Sequence, residues 1–296
     1  MTPLPDDDED QGIEFVDADG DDDVADDEEF DDDEFDEDED DDEFDEDESE
    51  SRSIELRVDD VDDPIEHLLR GEISIEGRMP YSSNATFLVH VEHEGRSHPA
   101  IYKPMRGERP LWDFEPGLHR REVAAYLMSE ALGIGVVPPT VLRDGPLGEG
   151  SVQWFVTADH RQHYFTIHEQ FPELHDRLRA MALLDIIANN TDRKSGHCLL
   201  VPAIDDRPAS VWGIDQGLCF SPEYKLRTVI WEFGGEPIAD TMLDPVAELC
   251  GRVPLEIASL LDDAEVAAIQ GRAAWCVKER VFPTDPSGRR YPWPLI

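Results

Sequence analysis

The first 50 residues contain no lysine and no arginine, although they carry 32 aspartates and glutamates. They also have few apolar side chains. Such a segment cannot bury enough surface to offset the entropy of ordering, about 1–2 kcal/mol per residue for the backbone. We therefore expect residues 1–52 to form a disordered acidic tail. The net charge of the whole chain is −45. Residues 51–296 hold the remaining 38 of its 70 acids together with all 25 of its bases, so their net charge is only −13.

What the sequence lacks also argues against several classes of partner. Without an excess of basic residues the chain has no means of neutralising a polyanion, so neither nonspecific nucleic-acid binding nor a polybasic membrane anchor is expected. No stretch approaches the ~20 apolar residues of a membrane span, and the N-terminus has no basic and apolar signal-peptide regions. We expect a cytoplasmic protein without a stable membrane anchor, and any partner of the acidic tail should be basic.

The four cysteines, Cys198, Cys219, Cys250 and Cys276, form no CxxC pair. Neither a zinc knuckle nor a redox dithiol is therefore indicated. We expect buried or free reduced thiols.

The pattern of apolar residues predicts an α+β protein with two lobes and no internal repeats. Alternating patterns indicate strands, and 3.6-residue periodicity indicates helices. The predicted strands lie at 73–75, 86–92, 99–103, 136–142, 151–157, 198–201 and 211–214, and the predicted helices at 61–71, 120–132, 173–189 and from 240 onward. We predict a β-rich N-lobe at 53–157, a mainly helical C-lobe at 158–296, and a ligand site in the cleft between them.

Lys103 ends an apolar strand that follows a turn of small residues, including Ser83 and Asn84. Taken singly, a lysine at a strand end and a turn of small residues are ordinary structural features. Together they are typical of a phosphate-covering loop with its lysine, because small residues let backbone N–H groups approach phosphate oxygens. Glu122, in the next helix, would hold that lysine by an ion pair, although an acid in a first helical turn also simply complements the helix dipole.

Two later loops carry the remaining polar groups. Asp192, Arg193 and Lys194 follow an apolar helix, where the aspartate would accept a proton and the two cations would offset charge on a moving phosphoryl group. Asp215 ends a strand some twenty residues later, where a carboxylate would hold Mg²⁺. His197 lies between them, at a position useful for a metal ligand. Taken alone, each loop is also consistent with an ordinary polar turn that has no catalytic or metal-binding role.

These elements, in this order, resemble the kinase-like phosphotransferases of the phosphatidylinositol 3-/4-kinase superfamily. The resemblance is greatest to the type II phosphatidylinositol 4-kinase branch and to an actinobacterial kinase-like family, and it covers about residues 80–235. The residues that carry it are Tyr102-Lys103-Pro104, Glu122 to Leu127, Gly133 to Thr140, Gly150 to Val156, Leu184 to Ile187, Asn190 to Arg193 and Gly213 to Phe220.

The resemblance implies a role for each matching position. Lys103 would contact the α- and β-phosphates and pair with Glu122, while Ser83 and Asn84 would lie over the phosphates. The hinge that meets the adenine would run through Gln153, Phe155 and Val156. Asp192 would be the catalytic aspartate and Asp215 the metal-binding one. His197 stands where the family presents an asparagine as second metal ligand, and imidazole suits Mn²⁺ better than Mg²⁺.

The sequence therefore predicts an ATP-dependent phosphotransferase that uses Mg²⁺ or Mn²⁺ and transfers the γ-phosphoryl group to a hydroxyl of a lipid, a protein or a small molecule. The alternative is a catalytically weak or inactive pseudokinase, which would serve as a nucleotide-binding regulatory or scaffold module. His197 keeps that alternative open. The 104–118 loop lacks the family's cysteine-rich insert, so a lipid acceptor is inferred from kinship of fold alone.

Overall fold

The computed structural model describes residues 61–79, 82, 84–111, 114–204 and 207–295. The acidic tail predicted at 1–52 and the predicted phosphate-covering residue Ser83 lie outside these residues. Among the described residues, no helix combines the length and the apolar character that a membrane crossing needs.

The N-terminal part is an antiparallel sheet whose strands lie in the order β1-β2-β3-β5-β4. The strands are β1 Glu72–Arg78, β2 Phe87–His93, β3 Arg96–Pro104, β4 Thr140–Gly145 and β5 Gly148–Trp154. The last two differ from the predicted 136–142 and 151–157. Pro138 and Pro139 have no N–H to donate to a ladder, so pairing begins only at Thr140.

The two faces of this sheet have different roles because successive side chains of a strand point to opposite sides. One face buries Val89, Val91, Tyr102 and Val152 against helix α1, Pro64–Arg70. The other face carries partly buried or polar groups, with Leu88 paired to Ile101, Ile101 to Gln153, and Lys103 to Ser151. The lysine therefore lies on the face that is not filled by the N-terminal core.

The remainder is mainly helical and encloses a second, larger core. Its elements are α2 Leu118–Ala131, α3 Tyr164–Gln170, α4 His175–Ala188, β6 Cys198–Val201, β7 Ser210–Gly213, α5 Asp240–Gly251, α6 Leu255–Ala258 and α7 Asp263–Glu279. The sequence did not predict α3. The α+β class, with a β-rich N-terminal part followed by a mainly helical part, is confirmed.

The start of α2 is fixed by one buried carboxylate from the preceding loop. Glu108 accepts hydrogen bonds from the backbone N–H groups of Gly117 at 2.9 Å and His119 at 2.7 Å, and it contacts His119 Nδ1 at 2.6 Å. Burial alone would raise the pKa of Glu108, but the hydrogen bonds from His119 and Gly117 lower it to about 2. The ionised carboxylate thus satisfies donors that a helix start leaves unpaired.

We expect Glu108→Gln to destabilise the protein at neutral pH but not at very low pH. The folded-state pKa lies below the unfolded one, so the ionised group stabilises the fold fully above about pH 4.5 and loses this effect as the pH falls toward 2. At about 1.4 kcal/mol per pH unit, the effect is on the order of 3 kcal/mol. Urea unfolding from pH 3 to pH 7 measures it. The exposed Glu248→Gln should show no such difference, and a pH-independent effect of Glu108→Gln would contradict this role.

Candidate active site

Lys103 is the residue at which the predicted parts of the site meet. Its ammonium donates one hydrogen bond to Glu122 of α2 and another to Asp215 Oδ1 at 2.7 Å. The side chain of Glu122 is only 3% exposed, whereas Lys103 is 22% and Asp215 is 50% exposed. Three residues predicted from separate stretches of sequence are therefore in direct contact.

Local structure explains this meeting point. Helix α2 packs against β4 and β5, which places Glu122 close to Lys103 on β3. The second carboxylate oxygen of Glu122 accepts the backbone N–H of Gln216 at 2.9 Å. Asp215 itself has a φ of 58°, a left-handed conformation that aspartate tolerates better than most residues. Glu122 thereby joins the sheet to the loop that follows β7.

The charges of this cluster support one another. The Lys103 ammonium holds the pKa of Asp215 well below its usual range, against the opposing effect of burial. Burial alone would lower the pKa of Lys103, but attraction to Asp215 and Glu122 raises it. At neutral pH the cluster is one ammonium between two carboxylates, with a net charge of −1.

The loop predicted to be catalytic is built on the end of α4. Asn189 adopts a left-handed conformation with φ of 49°, and its side chain bonds the backbones of Ser221, Glu223 and Lys225. The loop is thereby aligned with the segment that follows Phe220. Further hydrogen bonds join the backbones of Arg193 and Arg227 at 3.1 Å, and of Arg227 and Asn190 at 2.9 Å.

Asp192 is held within this loop with its carboxylate partly exposed. Its backbone N–H donates to Asn190 Oδ1 at 2.9 Å, and Lys194 Nζ donates to its Oδ2 at 2.8 Å. Burial raises the pKa of Asp192 above its usual value, while the hydrogen bond and charge of Lys194 oppose the rise. A raised pKa makes a carboxylate a stronger base, which is the property a proton acceptor needs.

The side chain of Arg193 does not lie where the sequence analysis predicted. It was expected to offset charge on a phosphoryl group, but its side chain is wholly buried. The guanidinium binds Asp185, Gln216 Oε1 at 2.9 Å and the backbone oxygen of Ile214 at 2.8 Å. These partners enclose the guanidinium, so Arg193 holds the loops together and exposes no surface to a phosphoryl group. Lys194 alone of the two predicted cations stands beside Asp192.

The sequence analysis did not identify the partners of Arg193. Asp185 is fully buried in α4 and also accepts the Thr228 hydroxyl at 3.1 Å, while Asn190 donates to both Asp185 and Gln216. The available signal was a single acid on the apolar face of the helix predicted at 173–189. Such an acid requires a buried cationic or hydrogen-bonding partner.

His197 lies beside Asp215, with 3.5 Å between its Nε2 and Asp215 Oδ2. Burial lowers its pKa to about 4, so the ring is neutral at pH 7. The backbone N–H of Lys194 faces Nδ1 at 3.4 Å, which favours the tautomer with its proton on Nε2. Ligation of a cation through Nε2 would require that proton to move, so Asp215 is the better donor of the pair.

The donor set at this position fits a magnesium ion that is bound chiefly through a nucleotide. Within the part of the chain that the structure describes, no group of three or more His, Cys, Asp or Glu side chains is arranged to hold a metal ion. Mg²⁺ is commonly bound by one or two carboxylates together with substrate phosphates and water, and Asp215 supplies such a carboxylate.

The remaining predicted nucleotide contacts lie in β5, directly after it, and in the segment before β2. Gln153 is buried and donates its side-chain N–H to Thr140 Oγ1 at 2.9 Å. Phe155 donates its backbone N–H to Pro99 O at 3.2 Å, and Val156 follows in the connection to α3. The side-chain oxygen of Asn84 accepts the backbone N–H of Arg109 at 2.9 Å, so Asn84 binds the loop that follows β3.

A cavity of about 720 Å³ lies near the start of α2. It is lined by the loop before that helix, by the segment 221–225 and by the first turn of α7. None of Lys103, Glu122, Asp192 or Asp215 contributes to its lining, so the cavity is separate from the proposed chemistry.

The site thus comprises a lysine on the third strand, a glutamate on the next helix and aspartates on two later loops. No family model matches the chain. Protein Rv2133c of Mycobacterium tuberculosis is 37% identical over 272 residues, an alignment that covers 79% of this chain and 96% of that protein. The chain therefore belongs to the family of protein Rv2133c.

Similar solved structures are more distant in sequence. They include the Helicobacter pylori proinflammatory kinase CtkA, with 14% identity, a TM-score of 0.41 and coverage of 73% of this chain and 94% of that one. Hydra Fam20 with sugar has 12% identity, a TM-score of 0.46 and coverage of 76% and 92%. The Rio2 kinase–ADP/Mg²⁺–phosphoaspartate complex from Chaetomium thermophilum has 14% identity, a TM-score of 0.38 and coverage of 70% and 72%.

We expect Arg193→Met to cost about 3–5 kcal/mol of folding free energy, because it leaves Asp185 buried without its cation. The double variant Arg193→Met/Asp185→Leu should lose less, since it removes both charges. Urea unfolding followed by tryptophan fluorescence measures both. Arg161→Met, which breaks an exposed pair with Asp159, is the matched control. A loss no larger than that of the control would contradict the structural role of Arg193.

Proposed function

We propose that the protein is an ATP-dependent phosphotransferase of the kinase type, which transfers the γ-phosphoryl group to a hydroxyl acceptor. The observation that carries the proposal is the contact of Lys103 with both Glu122 and Asp215. In protein kinases a lysine–glutamate pair of this kind sets the lysine against the nucleotide phosphates, and an aspartate holds the metal.

The chain's own residues would act as follows. Lys103 binds the α- and β-phosphates, and Glu122 keeps its ammonium in place. Asp215, with His197 beside it, would hold Mg²⁺ or Mn²⁺. Held there, such an ion would supply positive charge that offsets the charge of the phosphates. Because the Lys103 cluster carries a formal net charge of −1, a polyphosphate bound beside it would require such positive charge.

Asp192 would orient the acceptor and receive its proton. The acceptor oxygen forms a bond to the γ-phosphorus, and the bond from that phosphorus to the β–γ bridging oxygen breaks. The products are a phosphomonoester and ADP, and the acceptor's proton passes to Asp192. Lys194, bound to Asp192 at 2.8 Å, supplies positive charge beside the transferring group.

The finer assignments belong to the same proposal. The residue-level resemblance supports kinship with the phosphatidylinositol 3-/4-kinase-like superfamily and its type II branch. The end of β5 at Trp154 and the start of α3 at Tyr164 support a lobe boundary near residue 157. A lipid, a protein or a small molecule could each supply the hydroxyl, and a cytoplasmic location suits the use of ATP.

A pseudokinase that binds nucleotide without transferring phosphate is the second candidate. The bond between Lys194 and Asp192 favours it, because an ammonium that occupies the carboxylate weakens it as a proton acceptor. A wild-type protein that binds ATP but transfers no phosphoryl group would identify this alternative.

Addition of ATP with Mg²⁺ or Mn²⁺ should raise the melting temperature of the wild-type protein, because a ligand at 100 times its Kd stabilises by about 2.7 kcal/mol. Lys103→Ala should abolish the rise, and so should Asp215→Ala. Lys278→Ala, an exposed lysine on α7, should retain it. Circular dichroism checks that each variant is folded. Absence of a shift with either metal in the wild type would contradict nucleotide binding altogether.

We expect Asp192→Asn to keep the ATP-induced shift but to lower phosphoryl transfer from γ-labelled ATP by about 10²–10⁴-fold. The rate should fall at acid pH as Asp192 becomes protonated, with an apparent pKa above the usual aspartate value. Lys194→Met removes the hydrogen bond and the charge that lower the pKa of Asp192. The fall in rate at acid pH should therefore move to higher pH. Initial rates of ADP formation between pH 4 and pH 9 measure the shift. An unchanged rate in Asp192→Asn would contradict its role.

A further inference from the structure

Arg121, one residue before Glu122 on α2, belongs to a second buried ion pair. Arg121 of α2 donates to Glu265 of α7 from Nη2 at 2.6 Å and from Nε at 3.0 Å. The side chains are only 8% and 4% exposed, and the two residues are 144 positions apart in sequence. The pair therefore joins the helix that carries Glu122 to the last long helix of the chain.

The rest of the hydrogen bonding at this pair is also satisfied. Arg121 Nη1 donates to the backbone oxygen of Glu115 at 3.1 Å. Glu265 Oε2 accepts the backbone N–H of Asp262 at 3.0 Å, and Asp262 Oδ1 accepts the N–H of Glu265 at 2.7 Å. This reciprocal capping box fixes Glu265 to the start of α7, which itself packs against α4 and α5.

Neighbouring residues of a helix point about 100° apart, because one turn takes 3.6 residues. Arg121 and Glu122 therefore hold α2 from two directions, toward α7 and toward Lys103. A rotation or outward shift of α2 that separates Glu122 from Lys103 would also separate the guanidinium from Glu265. Breaking a buried charge pair is strongly unfavourable, so the two contacts restrain the helix together.

We propose that the Arg121–Glu265 pair is a positioning device, which holds α2 so that Glu122 remains against Lys103 and the lysine is set for nucleotide. The inference rests on the proposed nucleotide-binding role of Lys103. It assigns to Arg121 and Glu265, neither of which contacts the Lys103 cluster, a specific effect on ATP affinity that acts through Glu122. In this arrangement the lysine–glutamate pair is maintained by the fold itself.

The test is a double-mutant cycle on ATP affinity with Mg²⁺, using Glu265→Gln, Glu122→Gln and the variant with both changes. If α2 leaves its position in part of the molecules, the apparent Kd rises by the inverse of the competent fraction. We expect Glu265→Gln alone to raise the Kd at least 5-fold, and to add less than 2-fold in the Glu122→Gln background. Equal effects in both backgrounds would overturn the proposal, because they would show that Glu265 does not act through Glu122.

Amide hydrogen exchange without nucleotide tests the position of α2 independently of any ATP binding. Glu265→Gln should accelerate exchange in 118–131 relative to α4, whereas Glu66→Gln, which breaks an exposed pair with Arg70 in α1, should not. Uniform acceleration through both helices, or none, would overturn the proposal. Selective loosening of α2 in a protein that binds no ATP would retain the restraint on α2 but reject the proposed function. If Glu265→Gln does not fold, the apolar double variant Arg121→Met/Glu265→Met takes its place in both measurements.

Discussion

The contact of the Lys103 ammonium with Glu122 and Asp215 is the interaction on which the arrangement of the site depends. It joins a strand of the N-terminal sheet, the helix that follows and a loop more than one hundred residues later. A single cation between two carboxylates offsets the repulsion between their like charges, because each carboxylate is closer to the cation than to the other carboxylate. Glu122 is held in place, since its second oxygen accepts the backbone N–H of Gln216.

A second polar network gives the loops of the helical part their shape. Asp185 and Arg193 are both buried, and Gln216, Asn190 and Thr228 complete the hydrogen bonding around them. A buried charge pair contributes little net stability by itself, but leaving one partner alone is costly. The network therefore permits very few arrangements of the loops that carry Asp192 and Asp215. Arg193 acts in the core, and Lys194 is the cation left beside Asp192.

Charge is distributed unevenly along the chain. The net charge of −45 arises largely in the first 50 residues. The candidate site combines two cations, Lys103 and Lys194, with the three carboxylates of Glu122, Asp192 and Asp215. The pKa of Asp215 is lowered by Lys103, and that of Asp192 is raised by burial. Two aspartates with the same intrinsic acidity thus have pKa values that are shifted in opposite directions by their surroundings.

The sequence by itself determined the α+β class and most of the strands and helices, because the periods of 2 and 3.6 are local properties of a chain. It also singled out Lys103, Glu122 and Asp215, each beside a predicted element, and the structure brings these three side chains into contact. It missed α3 and misplaced the start of β4, where consecutive prolines remove the donors that pairing requires. Only the tertiary structure decided that Arg193 points inward, that Asp185 receives it, and that Arg121 reaches Glu265. Those outcomes depend on which distant side chain fills a buried position, and no local pattern records that choice.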